Sequence, residues 1–347
     1  MKILVDNKIP YIHDAIQFIS DDVYYLAAED FTNESVKNAD VLIIRTRTKC
    51  NKELLEGSKV KFIATATIGF DHIDIDYCKE KGIAWKNAPG CNANSVKQYI
   101  QSTLILLKRT FFGTLNHLTI GVIGVGHVGS KIVEIAENSG MTVLMNDPLR
   151  AKQEVDFKNH DLKEIAQRAD IISFHVPLVK DGLYPTYHLA DTSFFSSLSK
   201  KPIIINTSRG EVIDTSSIKN ALSHNKIRQA VIDVWENEPY IDVELLENVF
   251  IGTPHIAGYS ADGKAKASQM ALESVCEYFN IDRFIDINPP TPLKTEILAS
   301  DKESALLDIY NPMKDSFHLK EDVSSFEYLR SHYALRREPL AFDIIIQ

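Results

Sequence analysis

A chain of 347 residues, 44% of them hydrophobic, has the material for two or three domains with buried cores. Its formal net charge of −9 disfavours nucleic acid and anionic membrane as partners, and no stretch approaches the ~20 apolar residues that cross a bilayer. Cys50, Cys78, Cys91 and Cys276 fit no metal-binding spacing, so no metal is expected; four thiols in a chain this long, behind an opening MKILVDNKIPY without the apolar run of a secretory signal, fit a cytoplasmic protein.

The first third alternates short apolar runs with helical patterns. Lys2–Asp6, Val23–Ala27, Val41–Ile44 and Phe62–Thr65 read as strands, and Tyr11–Ile19 and Asn51–Glu56 as helices. Such alternation predicts a parallel sheet with helices on both faces. From Asn94 onward, Val96, Ile100, Thr103, Leu104 and Leu107 recur at helical spacing and predict a long packed helix. A second series of strands follows at Thr119–Ile123, Thr142–Asn146, Ile171–Phe174, Ile203–Asn206 and Ala230–Val234. One intervening helix is expected to start near Asp161, where Asp161 and Glu164 have capping-box spacing. Asn288-Pro289-Pro290-Thr291-Pro292 cannot be helix interior and marks a linker. Beyond it, Tyr310, Phe317, Phe326, Tyr328 and Tyr333 argue for a folded piece. About 60 residues make a marginal core, so this segment is expected to pack against something else. The predicted class is α/β, with two doubly wound, Rossmann-like parallel sheets and a small C-terminal α+β domain.

The predicted strand Thr119–Ile123 runs into Gly124-Val125-Gly126-His127-Val128-Gly129, a GxGxxG pattern. The sextet alone is a weak signal, but here a strand precedes it and an amphipathic segment follows, ending at Gly140. In such a loop Gly124 permits a tight turn, Gly126 lets the backbone approach a pyrophosphate, and Gly129 lets the helix pack on the strand. His127 and Val128 lie where the helix N-terminus offers N–H groups to phosphate. Asp147 stands 18 residues after Gly129, at the end of the second strand, where an acid accepts hydrogen bonds from an adenosine ribose and repels a 2′-phosphate; NAD is therefore expected over NADP. The competing reading is that Asp147 only starts a turn before Pro148.

Three polar residues follow predicted strands. Arg209 comes after Ile203–Asn206, Glu238 after Ala230–Val234, and His255 after Val249–Thr253. In a doubly wound sheet, ligands bind beyond the carboxyl ends of the strands, so all three are candidates for one site. Oxidation of a secondary alcohol needs a base for the hydroxyl proton, and a histidine titrates near neutrality. A carboxylate beside the imidazole orients it and favours its charged form, a role that fits Glu238. Arg209 can grip a substrate carboxylate through two hydrogen bonds. Singly, each residue could equally be a solvated side chain or a surface ion pair.

The segments Gly121–Gly129, Asn206–Asp214, Asp233–Pro239 and Thr253–Gly258 resemble the D-isomer-specific 2-hydroxyacid dehydrogenase family. The resemblance covers most of the chain and implies Arg209, Glu238 and His255 as catalytic residues. It also implies a discontinuous substrate domain (1–93 and 258–287, with a returning helix near Gly263–Asn280) around an NAD-binding domain (94–257). MKILVDNKIPY, ATATIGFDH at Ala64–His72, APGCNAN at Ala88–Asn94, HIAGYS at His255–Ser260 and FEYLRSHYALRRE at Phe326–Glu338 are similar to one subfamily. That similarity implies NAD-dependent oxidation of a phosphorylated 2-hydroxy acid, 4-phospho-D-erythronate, to 2-oxo-3-hydroxy-4-phosphobutanoate, a step of vitamin B6 biosynthesis. It further implies a homodimer through residues 288–347. Thr46, Thr67 and Tyr259 are implied as substrate contacts, and Asp147, Val176, Asp233 and Gly258 as NAD contacts.

A phosphorylated substrate calls for more positive charge than Arg209 provides. Arg45, Arg47 and Lys49, interleaved with Thr46 and Thr48, follow the strand Val41–Ile44, and Arg45 is the first candidate to hold the phosphate. Arg47 stands where the subfamily is expected to have a small apolar residue. Arg336 and Arg337 are further candidates, reaching from a partner chain. The alternatives are a sister dehydrogenase acting on phosphoglycerate or glycerate, and a non-catalytic NAD(H)-sensing protein on the same fold.

Overall fold

Runs of four or five residues rich in Ile and Val are too short for helices, and they become the strands of two parallel sheets. The computed structural model describes residues 1–347. They form two compact units, Met1–Asn92 with Ser260–Leu293, and Ala93–Tyr259 with Lys294–Gln347.

The first unit contains β1 (Ile3–Asp6), β2 (Val23–Leu26), β3 (Val41–Ile44), β4 (Phe62–Thr65) and β5 (Ala84–Lys86), in the order β2-β1-β3-β4-β5. All pairings are parallel. The inner strands β1, β3 and β4 are wholly buried, whereas the edge strands are half-exposed. β5, Ala84-Trp85-Lys86, was not foreseen, because three residues without a β-branched run leave no pattern. The helix expected over Tyr11–Ile19 shrinks to His13–Ile16, since Tyr11 adopts a left-handed φ of 60° that no helix continues through. The returning helix is Ala261–Phe279, capped by the Ser260 hydroxyl and stopped by a left-handed Asn280. Its Ala265, Ala271, Leu272 and Val275 share one core with Ile3, Val5, Ile43 and Phe62. The proline-rich stretch Asn288–Pro292 read as a linker stays wholly with this unit, which ends at Leu293.

In the second unit, the helix Ala93–Leu107 precedes β6 (Thr119–Ile123), β7 (Thr142–Asn146), β8 (Ile171–Phe174), β9 (Ile203–Asn206), β10 (Gln229–Ile232) and β11 (Ile251–Gly252). The order is β11-β10-β9-β8-β6-β7, again parallel throughout. Apolar cores cover both faces, one around Phe174, Ile204 and Trp235, the other around Tyr99, Val122 and Ile205. Asp161 caps the helix Leu162–Arg168 by accepting from the Glu164 N–H.

Residues 288–347, expected as a third domain, do not form a separate unit. Lys294–Gln347 cluster with the second unit. Tyr310 enters the core of Tyr99, and Leu319 and Phe326 enter that of Trp235. The segment has too little core of its own and borrows its neighbour's. Its small parallel sheet joins β12 (Glu296–Ala299) to β13 (Asp343–Ile346). No helix is long and apolar enough to cross a membrane.

Candidate active site

The glycine loop follows β6, which lies between β7 and β8 where the strand order reverses, the usual ligand position in such sheets. Gly124 has a φ of +84°, and a Cβ there would stand 2.6 Å from the His175 carbonyl oxygen and 2.8 Å from Val176 Cγ1. A Cβ on Gly129 would come within 1.9 Å of the Gly124 carbonyl oxygen. Only glycine lets the loop fold onto itself and the helix His127–Asn138 start so close behind it. Gly126, the N-cap, brings no capping side chain. The first-turn N–H groups around His127 and Val128 therefore keep their positive potential for an anion.

Asp147 has two structural partners: one carboxylate oxygen accepts from the Val125 N–H at 3.0 Å, and the other from Arg150 N–H at 3.0 Å, capping the helix Pro148–Gln153. The turn-starting role is thus present. An ionised carboxylate has about four acceptor sites, so two bonds leave capacity for ribose hydroxyls. The glycine cradle, the uncapped helix and this acid together fit a dinucleotide. His175, which the sequence did not single out, sits behind the loop with hydrogen bonds to Ser173 and Thr207, and burial pushes its pKa down to about 3, so it is neutral.

Arg209, Glu238 and His255 follow three neighbouring strands, β9, β10 and β11. The Arg209 loop is pinned by Asn206, which accepts from the Ser208 N–H and hydroxyl and donates to the Arg209 carbonyl. The Arg209 guanidinium is half-buried and donates to the Ser208 carbonyl at 2.8 Å. A Cβ on Gly210 would lie 2.0 Å from the Trp235 carbonyl, so this loop meets the one after β10 backbone to backbone.

Glu238 accepts from the Trp235 N–H at 2.9 Å through Oε1 and pairs with His255 Nδ1 at 2.8 Å through Oε2. A carboxylate only accepts, so Nδ1 carries the proton and Nε2 of a neutral ring presents its lone pair. Burial favours the protonated Glu238 carboxyl, but the bonds from His255 and Trp235 and the nearby Arg330 charge together hold its pKa below the ordinary value. This is the pairing expected of a base and its orienting acid.

His255 adopts a left-handed φ of +58°, which a non-glycine residue holds only when its surroundings insist. Its N–H donates to the Asp233 and Thr253 carbonyls at 2.8 and 3.0 Å. Asp233, implied as an NAD contact, is 1% exposed, and its carboxylate accepts from the Thr253 hydroxyl and the Ile256 and Ala257 N–H groups. Burial raises its pKa. Gly258 lies in the turn closed by the Tyr259 N–H on the Ile256 carbonyl, and Tyr259 is half-buried against Tyr333.

The far side of this turn is held by Arg336. Its Nη1 donates to the Ile256 and Tyr259 carbonyls at 3.0 and 2.9 Å, and its Nη2 to those of Ala257 and Ser95 at 2.6 and 3.2 Å. Its Nε donates to Gln98 at 3.0 Å, and its guanidinium lies 4.0 Å from the Tyr310 ring centroid. The expectation that Arg336 reaches a partner's phosphate is therefore corrected. It is 8% exposed and fully engaged within its own chain, because a turn whose carbonyls cannot bond one another needs an internal donor. Arg337 is half-buried, with its carbonyl accepting from Gln98.

In the first unit, Arg45 Nε donates to the buried Asp6 carboxylate at 3.0 Å. Asp6 ends β1 and Arg45 follows β3, the two strands where that sheet's order reverses. Thr46 and Arg47 are exposed, and the buried Thr48 hydroxyl has no hydrogen-bond partner. Thr67 donates to the Gly69 carbonyl at 2.9 Å and lies 2.7 Å from the Thr65 hydroxyl, which contacts His72 Nε2 at 3.1 Å. Burial lowers the His72 pKa.

Comparison with known proteins agrees with this geometry. The sequence profile of the D-isomer specific 2-hydroxyacid dehydrogenase NAD binding domain matches residues 92–257. The chain is 57% identical over 345 residues to an erythronate-4-phosphate dehydrogenase of Bacteroides thetaiotaomicron, covering 99% of both chains. It is 40% identical to one from Porphyromonas gingivalis, covering 99% of this chain and 95% of that one. Its fold is similar to that of a D-lactate dehydrogenase from Aquifex aeolicus crystallised with NAD and lactic acid, with a TM-score of 0.65 and 26% identity over 81% of this chain and 96% of that one. The chain is an NAD-dependent dehydrogenase of the D-isomer-specific 2-hydroxyacid family and belongs within it to the erythronate-4-phosphate dehydrogenases.

Proposed function

We propose that this protein oxidises 4-phospho-D-erythronate at C2 to 2-oxo-3-hydroxy-4-phosphobutanoate, with His255 as the proton acceptor. One observation carries the chemistry: Glu238 holds Nδ1 of His255 at 2.8 Å, which leaves Nε2 as the basic atom. In the step, the C2–H bond breaks with its electron pair while the C2 hydroxyl proton passes to Nε2, leaving a carbonyl. NAD, when bound, supplies the acceptor for that electron pair. Gly124, Gly126, Gly129, Asp147 and the N–H groups of His127 and Val128 would hold it, with Val176, Asp233 and Gly258 shaping the same site. Arg209 grips the C1 carboxylate and offsets negative charge at the C2 oxygen, and a planar fork suits both tasks.

The substrate itself follows from the relatives' name, supported by a candidate phosphate loop in the first unit. Arg45 is fixed there by Asp6, beside Thr46 and the unpartnered hydroxyl of Thr48; Thr67 and, in the second unit, Tyr259 are the other proposed substrate contacts. The test is a panel of 4-phospho-D-erythronate, 3-phosphoglycerate and D-lactate with NAD, with an α-keto acid added as second acceptor. The phosphorylated four-carbon acid is expected to have the highest kcat/KM, and equal or greater turnover of another acid sinks the assignment. Arg45→Ala is expected to raise KM for this acid ~10–100-fold with a smaller change in kcat, since a lost charged hydrogen bond costs ~1.5–3 kcal/mol. An unchanged KM removes Arg45 from the phosphate site.

We also take the protein to be a cytoplasmic homodimer joined through its C-terminal segment. Phe317, Tyr328, Leu340 and Ile346 support that reading, since all four are exposed apolar side chains on this segment.

A further inference from the structure

Glu238 Oε2 has a second partner. Arg330, in the short helix Phe326–Ser331, donates Nη1 to it at 3.3 Å, while His255 Nδ1 stands at 2.8 Å from the same oxygen. The Arg330 and Glu238 side chains are only 25% and 17% exposed, so solvent screens this pair far less than a surface ion pair. Phe326 of the same helix is 1% exposed in the core that contains Trp235, which anchors the helix beside the loop carrying Glu238. Tyr259 is a further neighbour of the Arg330 guanidinium.

We propose that Arg330 is a positioning residue that shares Glu238 with His255 and thereby limits how strongly the carboxylate favours the imidazolium. The inference rests on the reading of His255 as the proton acceptor. A buried carboxylate that served the imidazole alone would favour the charged ring. A base that is already protonated when substrate arrives cannot take a proton, so rate depends on matching the base to the working pH. A guanidinium on the same carboxylate oxygen withdraws part of that stabilisation and fixes the oxygen in place. The other ionisable groups around this pair are Asp233 from the loop after β10, Tyr259 from the segment carrying His255, Glu327 from the helix of Arg330 and Arg336 behind the turn. All four stay in place when Arg330 is changed. Residue 330 lies in the C-terminal segment, so the inference makes that segment part of the catalytic apparatus.

The experiment is an NMR titration of the histidine side chains in the full-length protein, with the His255 signal identified by its loss in His255→Gln. Arg330→Met is expected to raise the His255 midpoint by about 1 pH unit, the scale of one nearby charge, and Arg330→Lys, which keeps the charge, is expected to restore it most of the way. The acid limb of kcat/KM is expected to move upward in parallel. Arg330→Gln serves as the neutral variant if the methionine variant lacks native circular dichroism. An unmoved midpoint in a folded neutral variant overturns the proposal even if activity falls, because that pattern is a purely structural loss. Wild-type protein that ignores 4-phospho-D-erythronate sinks the substrate reading alone, since the titration needs no substrate. Full turnover by His255→Gln sinks the proton-acceptor reading instead.

Discussion

His255→Gln is expected to lower kcat for oxidation of the phosphorylated acid by about 10²–10⁴-fold, the usual contribution of a positioned general base. Glutamine can still donate to Glu238 but offers no basic nitrogen, so the change removes the proton acceptor and little else. NAD affinity should stay within about threefold of wild type, because the glycine cradle, the helix starting at His127 and Asp147 are untouched. Steady-state kinetics and a fluorescence titration with NADH check the two halves separately. A modest loss of kcat, with NAD affinity intact, would mean that another group takes the proton.

The largest structural effect is expected from Arg336→Ala. Five acceptors lose a donor at once, namely the carbonyls of Ser95, Ile256, Ala257 and Tyr259 and the side-chain oxygen of Gln98, although the Ile256 carbonyl keeps the Tyr259 N–H. Each buried acceptor left unmet costs on the order of 1–3 kcal/mol. Water entering the space vacated by the side chain would recover part of this. A net loss of about 3–5 kcal/mol is therefore expected in denaturant unfolding of the second unit. Activity should fall with it, because the left-handed backbone of His255 is held by Asp233 on one side and the Arg336-bound turn on the other. An unfolding midpoint equal to that of wild type would show that the turn needs no such clamp.

Arg336 also marks the boundary of what the sequence reveals. Arg209, Glu238 and His255 were legible as candidates because each follows an apolar run read as a strand, even though the run before His255 forms only the two-residue β11, and the sheet rule places strand ends at ligands. Gly124 and Gly129 were legible because the close approach they permit has a fixed spacing. Arg330 and Arg336 carried no comparable signal, since an arginine in a polar helical stretch reads as a solvated cation. Their partners lie far away in the chain, 92 positions for Arg330 to Glu238 and 80 for Arg336 to Ile256. Such contacts arise only because Phe326 and Tyr310 bury the C-terminal segment in the second unit's cores. The same reason explains why the third domain expected from the linker prolines does not stand alone. At the level of elements, β1, β3, β4 and β6–β9 were read to within a residue from Ile- and Val-rich runs. β5, β12 and β13 were missed, being short edge or two-stranded pieces with little pattern to read.

The most direct test of the proposed chemistry uses 4-phospho-D-erythronate carrying deuterium at C2, incubated with the protein and NAD and followed by nicotinamide absorbance and mass spectrometry. The expected result is reduced nicotinamide formed in step with the 2-oxo acid, with the deuterium found on the nicotinamide ring. Reduced cofactor without the label, or no reduction by protein that demonstrably binds NAD, would contradict it.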